Sequence, residues 1–218
     1  MIYTKDMRLE FRSKNALLSM IYFAFLLLVI LNMAVGTGKK IDPEMAAGIL
    51  VVAVVFASIL GQSKIFSVEK ENHCLEALLI SPVSVESIFA GKVAVNFTFM
   101  VISEAVIFPL FFVLYGDIYA TRLPSLLLVF FLLNLGFSTV GVLFSAIAEG
   151  SGKKEFLLPV LVFPALIPVV LGAVKVTGGL FFGKELSELK DSLYLLVAFD
   201  LIFLGVCSLL FGYVVREN

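Results

Sequence analysis

The chain has 218 residues, is 61% hydrophobic and 15% charged, and has a mean hydropathy of +1.08. An ordinary soluble domain is about 45–50% apolar and about 25% charged, so this composition excludes a soluble protein and indicates one that crosses a membrane several times. The net charge of -1 is silent on nucleic acid, but no basic patch of the needed density is present, so nucleic acid is not expected as a partner.

The chain opens with MIYTKDMRLEFRSKN. At about 100° per residue, Tyr3, Met7 and Phe11 share one side and Lys5, Arg8 and Arg12 another. This pattern predicts an interfacial helix over residues 1–15, with its basic side toward anionic headgroups. A cleavable signal peptide is not expected. The first apolar run is a full span in length, and Ala34-Val35-Gly36 only imitates a cleavage site.

Six apolar runs follow, at Leu17–Val35, Met45–Ile65, Val93–Tyr115, Leu123–Ile147, Phe156–Val174 and Leu193–Val215. Each meets the roughly 17–25 residues that a spanning helix needs. The predicted fold class is an all-α membrane protein with six transmembrane helices in one domain over residues 1–218. Six spans place both termini on one side. With the N-terminus inside, ten of the 16 cationic residues fall in the cytoplasm and six outside. The bias favours an N-in/C-in arrangement.

Between spans two and three lies the longest polar interruption, FSVEKENHCLEALLISPVSVES, residues 66–87. It carries Glu69, Lys70, Glu71, His73, Glu76 and Glu86. Val68, Leu75, Leu78 and Leu79 recur at helical spacing, and Ser81-Pro82 ends the pattern. This segment is the expected meeting point with a soluble partner. His73 beside Cys74 does not make a metal site, because two adjacent residues cannot close one. Cys74 and Cys207 have no metal-type spacing and are not expected to pair.

The third span holds Glu104 near its middle, where a carboxylic acid costs about 2.5–3.5 kcal/mol on insertion scales. It is a candidate for a substrate path or for a helix–helix clamp with Asn134, Ser138 or Thr139 on span four. Asp200 lies about two turns inside the outer end of span six and is a second path candidate. Asn96, Thr98, Ser103, Ser145 and Ser208 read as packing contacts. Span five contains Pro159, Pro164 and Pro168, hinge candidates that predict a bent or broken helix. Residues 177–192, TGGLFFGKELSELKDS, read as an outer loop with a re-entrant or short interfacial helix.

Gly150-Ser151-Gly152-Lys153-Lys154 imitates a phosphate loop, but Ile147 and Lys154 occupy positions that the motif reserves for Gly and for Ser or Thr. No nucleophile–base pair and no HExxH motif are present. The chain carries no recognisable catalytic site, so any ATP hydrolysis belongs to another subunit.

Residues Glu69 to Pro82, EKENHCLEALLISP, resemble the cytoplasmic stretch between spans two and three of ABC-2-type transporter permeases. That family shows an acidic E-x-E-x-G-T-L-E-x-L-L-x-S-P pattern and then a G-K pair, here Gly91-Lys92. The chain departs from the pattern at His73 and Cys74. Within the superfamily, the whole chain is most similar to the CcmB family, haem exporter B subunits of cytochrome c maturation. The length, the basic N-terminal helix, the DPEMAAG entry to span two and the LLPVLVFPALIP run of span five carry this likeness.

The resemblance implies an ABC-2 exporter-like architecture and a permease with no ATPase of its own. It implies a CcmA-like ATPase subunit, with two copies of each, a CcmC-like haem-handling membrane protein and a small CcmD-like subunit. Residues 66–87 become a coupling helix, with Glu69, Glu71 and Glu76 as contacts, Leu75 and Leu79 as anchors and Pro82 as its stop. Haem is implied as substrate rather than as a resident cofactor. The spans hold no His to act as an axial ligand, which favours ATP-driven remodelling of the complex over haem passage, while Met100, Cys207 and the tyrosines keep passage open. Another ABC-2 substrate (lipid, polysaccharide or drug), a secondary transporter working alone and an intramembrane carboxylate enzyme are the competing readings.

Overall fold

A computed structural model describes residues 3–4, 7, 15–36, 41–62, 84–116, 122–150 and 154–217. Six helices make up nearly all of them: α1 Asn15–Val35, α2 Pro43–Gln62, α3 Val85–Tyr115, α4 Leu123–Gly150, α5 Lys154–Phe181 and α6 Lys190–Glu217. All six are long and apolar enough to cross a membrane. A 3₁₀ turn, Leu186–Glu188, precedes α6. Tyr3, Thr4 and Met7 are helical, as the N-terminal pattern predicts. The rest of that segment lies outside the described residues.

Helix α4 is the centre of the bundle. Phe130, Leu133, Phe137, Val140 and Val142 are fully buried on it. It packs against α2, α3, α5 and α6, leaving Leu127, Leu128 and Phe131 of its first half exposed. Helices α1 and α6 are peripheral. Tyr22, Ile30 and Met33 of α1 and Leu201, Leu209 and Tyr213 of α6 face outward.

Two boundaries differ most from expectation. Helix α3 begins at Val85, eight residues before the predicted Val93. Ser84 supplies the N-cap, its Oγ accepting from the Ser87 N–H at 3.3 Å, and Glu86 sits in the first turn where the helix dipole favours an acid. At 31 residues the helix is about 46 Å long, against about 30 Å of hydrocarbon, so about two to three turns exceed the span.

The second difference is α5. Its prolines predict a bend or break, but it forms one continuous helix through Pro159, Pro164 and Pro168. It also does not end at Val174. Thr177, Gly178, Gly179, Leu180 and Phe181 stay helical, and the backbone turns at Gly183, whose φ is 89°. The helix persists because its glycines are packing surfaces here. Gly178 lies against the Glu44 backbone of α2, and Gly179 lies against Leu189. The expected loop over residues 177–192 therefore shortens to the few residues around the 3₁₀ turn.

Candidate functional site

Most of the polar interruption, including Glu69, Glu71, Leu75, Glu76, Leu79 and Pro82, lies outside the described residues. Its two anchors are within them. On one side α2 delivers Gln62, and on the other Ser84 caps α3. Gln62 is fully buried. Its Nε2 donates to the Phe137 carbonyl of α4 at 3.0 Å. Ser145 Oγ, two turns further along α4, donates to the Gln62 carbonyl at 3.4 Å. A Cβ added at Gly141 would overlap the Gln62 amide, so the side chain occupies a slot that only glycine leaves open.

Beyond Ser84, the first turns of α3 pack on α6. Phe89 and Phe211 meet with ring centroids 5.2 Å apart, and Lys92 is buried at 2% exposure. A groove of about 500 Å³ runs between α3, α4 and α6. Phe89, Val93, Phe97, Phe131, Leu135 and Leu204 form its apolar wall, with Glu86 and Ser208 as polar points. Among the described residues its lining contains no His, Met, Cys or Tyr, so those residues offer no customary axial ligand to haem iron.

The mid-membrane polar residues gather on α4. Asn134 Nδ2 donates to Glu104 Oε2 at 3.0 Å. One turn along, Asn96 Nδ2 donates to Ser138 Oγ at 3.1 Å. Met100 Sδ sits between them, within 3.9 Å of Asn96 Nδ2 and 3.5 Å of Ser138 Oγ. Ser103 and Thr139 hydroxyls donate to their own helices, at Met100 and Leu135 carbonyls. Interhelical bonds of this kind contribute about 0.6 kcal/mol each on average.

Of the three partners anticipated for Glu104, the structure selects Asn134. Glu104 Oε1 and Asn134 Oδ1 are buried without a partner among the described residues. Asp200, 3% exposed, approaches α4 from α6. Its Oδ1 would lie 2.6 Å from a Cβ at Gly136. Positions 134 and 136 are about 200° apart around a helix, so the two carboxylates reach α4 on different sides. Neither accepts a bond from the other, and both Asp200 oxygens lack a partner among the described residues. The carboxylate-pair enzyme reading loses its geometric basis.

Met100 is fully enclosed and Cys207 is buried, so neither sulfur is presented to the groove. Among the described residues no group of three His, Cys, Asp or Glu is placed to hold a metal ion. The residue that sequence reasoning misses is Gln62. A lone polar residue ending a span resembles any interfacial residue, and its slot is formed by residues some 75 positions away.

Comparison with known proteins places the chain in a narrow set. The model of the CcmB protein family matches residues 1–218. Heme exporter protein B of Pseudomonas aeruginosa is 25% identical over 171 residues, covering 78% of this chain and 76% of that protein. Heme exporter protein B of Rhodobacter capsulatus is 25% identical over 182 residues, 82% of each chain. That of Paracoccus denitrificans is 26% identical over 179 residues, 80% of each.

Proposed function

The chain belongs to the CcmB protein family, and from that membership we propose that it is the membrane permease of a haem exporter serving cytochrome c maturation. The observation that carries this reading is the family match along the entire chain, joined to six helices able to span a membrane. The permease is a transporter component. ATP is hydrolysed by a separate CcmA-like subunit that docks on residues 66–87, and two copies of each assemble with a CcmC-like haem-handling protein and a small CcmD-like subunit. The protein resides in the bacterial cytoplasmic membrane with both termini inside.

In this mechanism Glu69, Glu71 and Glu76 meet basic groups on the ATPase, while Leu75 and Leu79 anchor the helix in its groove. Closure of the ATPase around ATP displaces the segment, and the displacement enters the membrane through α2 and α3. Two observations favour remodelling of the complex over passage of haem through the chain. The described residues lining the groove beside α3 include no iron ligand, and Met100 is enclosed by Asn96 and Ser138. Glu104 then serves as a clamp between α3 and α4.

Affinity purification of the chain in mild detergent, with identification of its companions, tests the reading. Recovery of an ATPase together with a haem-handling membrane protein is expected. Recovery of an ATPase alone would support the wider ABC-2 class with another substrate. Transport driven by a proton gradient with no ATPase present would favour a secondary transporter.

A further inference from the structure

We infer that Gln62 is a peg, seated in a slot on α4, that passes motion of the coupling segment to the centre of the bundle. The inference rests on the reading of residues 66–87 as the coupling segment. Gln62 is the last described residue of α2, and in sequence it stands four residues ahead of that segment. Its side chain leaves α2 and enters α4 at Gly141, where the missing Cβ makes room for the amide.

Two bonds of opposite sense hold the junction. The Gln62 amide donates to the Phe137 carbonyl, and the Ser145 hydroxyl donates to the Gln62 carbonyl. Both the side chain and the backbone of this one residue are thus tied to α4. Elsewhere α2 packs broadly on α1 and α5, less so on α3, and meets α4 only narrowly. The peg therefore makes up much of the direct path from α2 to α4.

The chemistry of the peg argues against simple cohesion. Gln62 Oε1 is buried and accepts no bond from any described residue. A half-satisfied amide is a poorer filler than an apolar side chain of the same size. What it adds is direction. The bond to Phe137 exists in one register of α2 against α4 and is broken by a small slide, as a transmitting contact between two discrete arrangements requires. From α4 the movement reaches α3 through Asn134–Glu104 and Asn96–Ser138, and α6 through Gly136–Asp200.

The test uses the complex purified in detergent with its ATPase and reads two quantities: ATP turnover, and haem delivered by the complex per ATP hydrolysed. Gln62→Ala empties the slot and Gly141→Ala blocks it. Each single variant is expected to keep ATP turnover but lower haem delivered per ATP by about tenfold, within the usual span of coupling between sites. The double variant is expected to be no worse than either single one, because both remove the same contact. Gln62→Leu, which fills the slot without the amide, should lose the same ratio and guards against a folding defect from Gly141→Ala.

An unchanged ratio in Gln62→Ala and Gln62→Leu would overturn the peg and leave the permease reading standing. Losses that multiply in the double variant would also overturn it, since the two positions would then act separately. An unaltered chain that brings down no ATPase would overturn both the peg and the reading beneath it.

Discussion

The Asn134 amide donates to Glu104 Oε2 across 3.0 Å and joins α3 to α4 deep within the bundle. The acid is 5% exposed, and its bond to Asn134 is the protein contact that offsets its removal from water. Asn134→Leu would take away that donor. A buried polar group left unpaired costs about 1–3 kcal/mol, so this variant should unfold several degrees lower. Glu104→Gln preserves an acceptor for the amide and should change little. The readout is thermal unfolding in detergent, followed by a thiol-reactive dye on buried Cys207 in a Cys74→Ser background. Equal midpoints for Asn134→Leu and the parent would remove the clamp.

A second contact on α4 is steric. A methyl at position 136 would lie 2.6 Å from Asp200 Oδ1 and 3.2 Å from the Phe199 ring. Overpacking of this kind typically costs about 1–3 kcal/mol, and Gly136→Ala should lower the unfolding midpoint accordingly. Adding Asp200→Ala should recover part of the loss, because the closest clash disappears. Losses that simply add would mean that the two residues do not meet.

The arrangement of the termini has its own test. Ser187 is exposed in the 3₁₀ turn before α6, and Ser87 is exposed in the first turn of α3. In a Cys74→Ser background, Ser187→Cys should react with a membrane-impermeant maleimide added to intact cells. Ser87→Cys should react only after the membrane is opened. The opposite pattern would invert the topology.

Much of this fold is legible in the amino-acid sequence because membranes impose length and composition on what crosses them. All six spans stand out as apolar runs. The differences have local causes. Glu86 and Lys92 interrupt the apolar run that leads into α3 and hide its first two turns, although the Ser84 cap and the acid that follows it mark the true start. Gly178 and Gly179 carry the composition of a loop, yet in α5 they are close contacts with Glu44 and Leu189. Depth alone narrows Glu104 to three partners, but choosing Asn134 requires the rotation of α4. Gln62 carries no local signal, since its slot is a property of α4.

Pro159, Pro164 and Pro168 remain proposed as the hinge of α5. The helix is continuous through them, so any hinge acts by flexing where proline leaves carbonyls without their usual donor. Pro164→Ala and Pro168→Ala restore those donors and should hold or raise the unfolding midpoint while slowing haem delivery severalfold. Delivery at the parental rate in a variant carrying both would end the hinge proposal.

The proposed function turns on ATP energy entering through the acidic segment after α2. Glu76→Lys reverses one charge there and leaves every span untouched. The decisive measurement is ATP turnover and ATPase recovery of the affinity-purified complex with and without this change, at equal amounts of inserted permease. The unaltered chain is expected to recover an active ATPase, and Glu76→Lys to lose most of either its recovery or its turnover. Equal recovery and equal turnover in the two preparations would contradict that route.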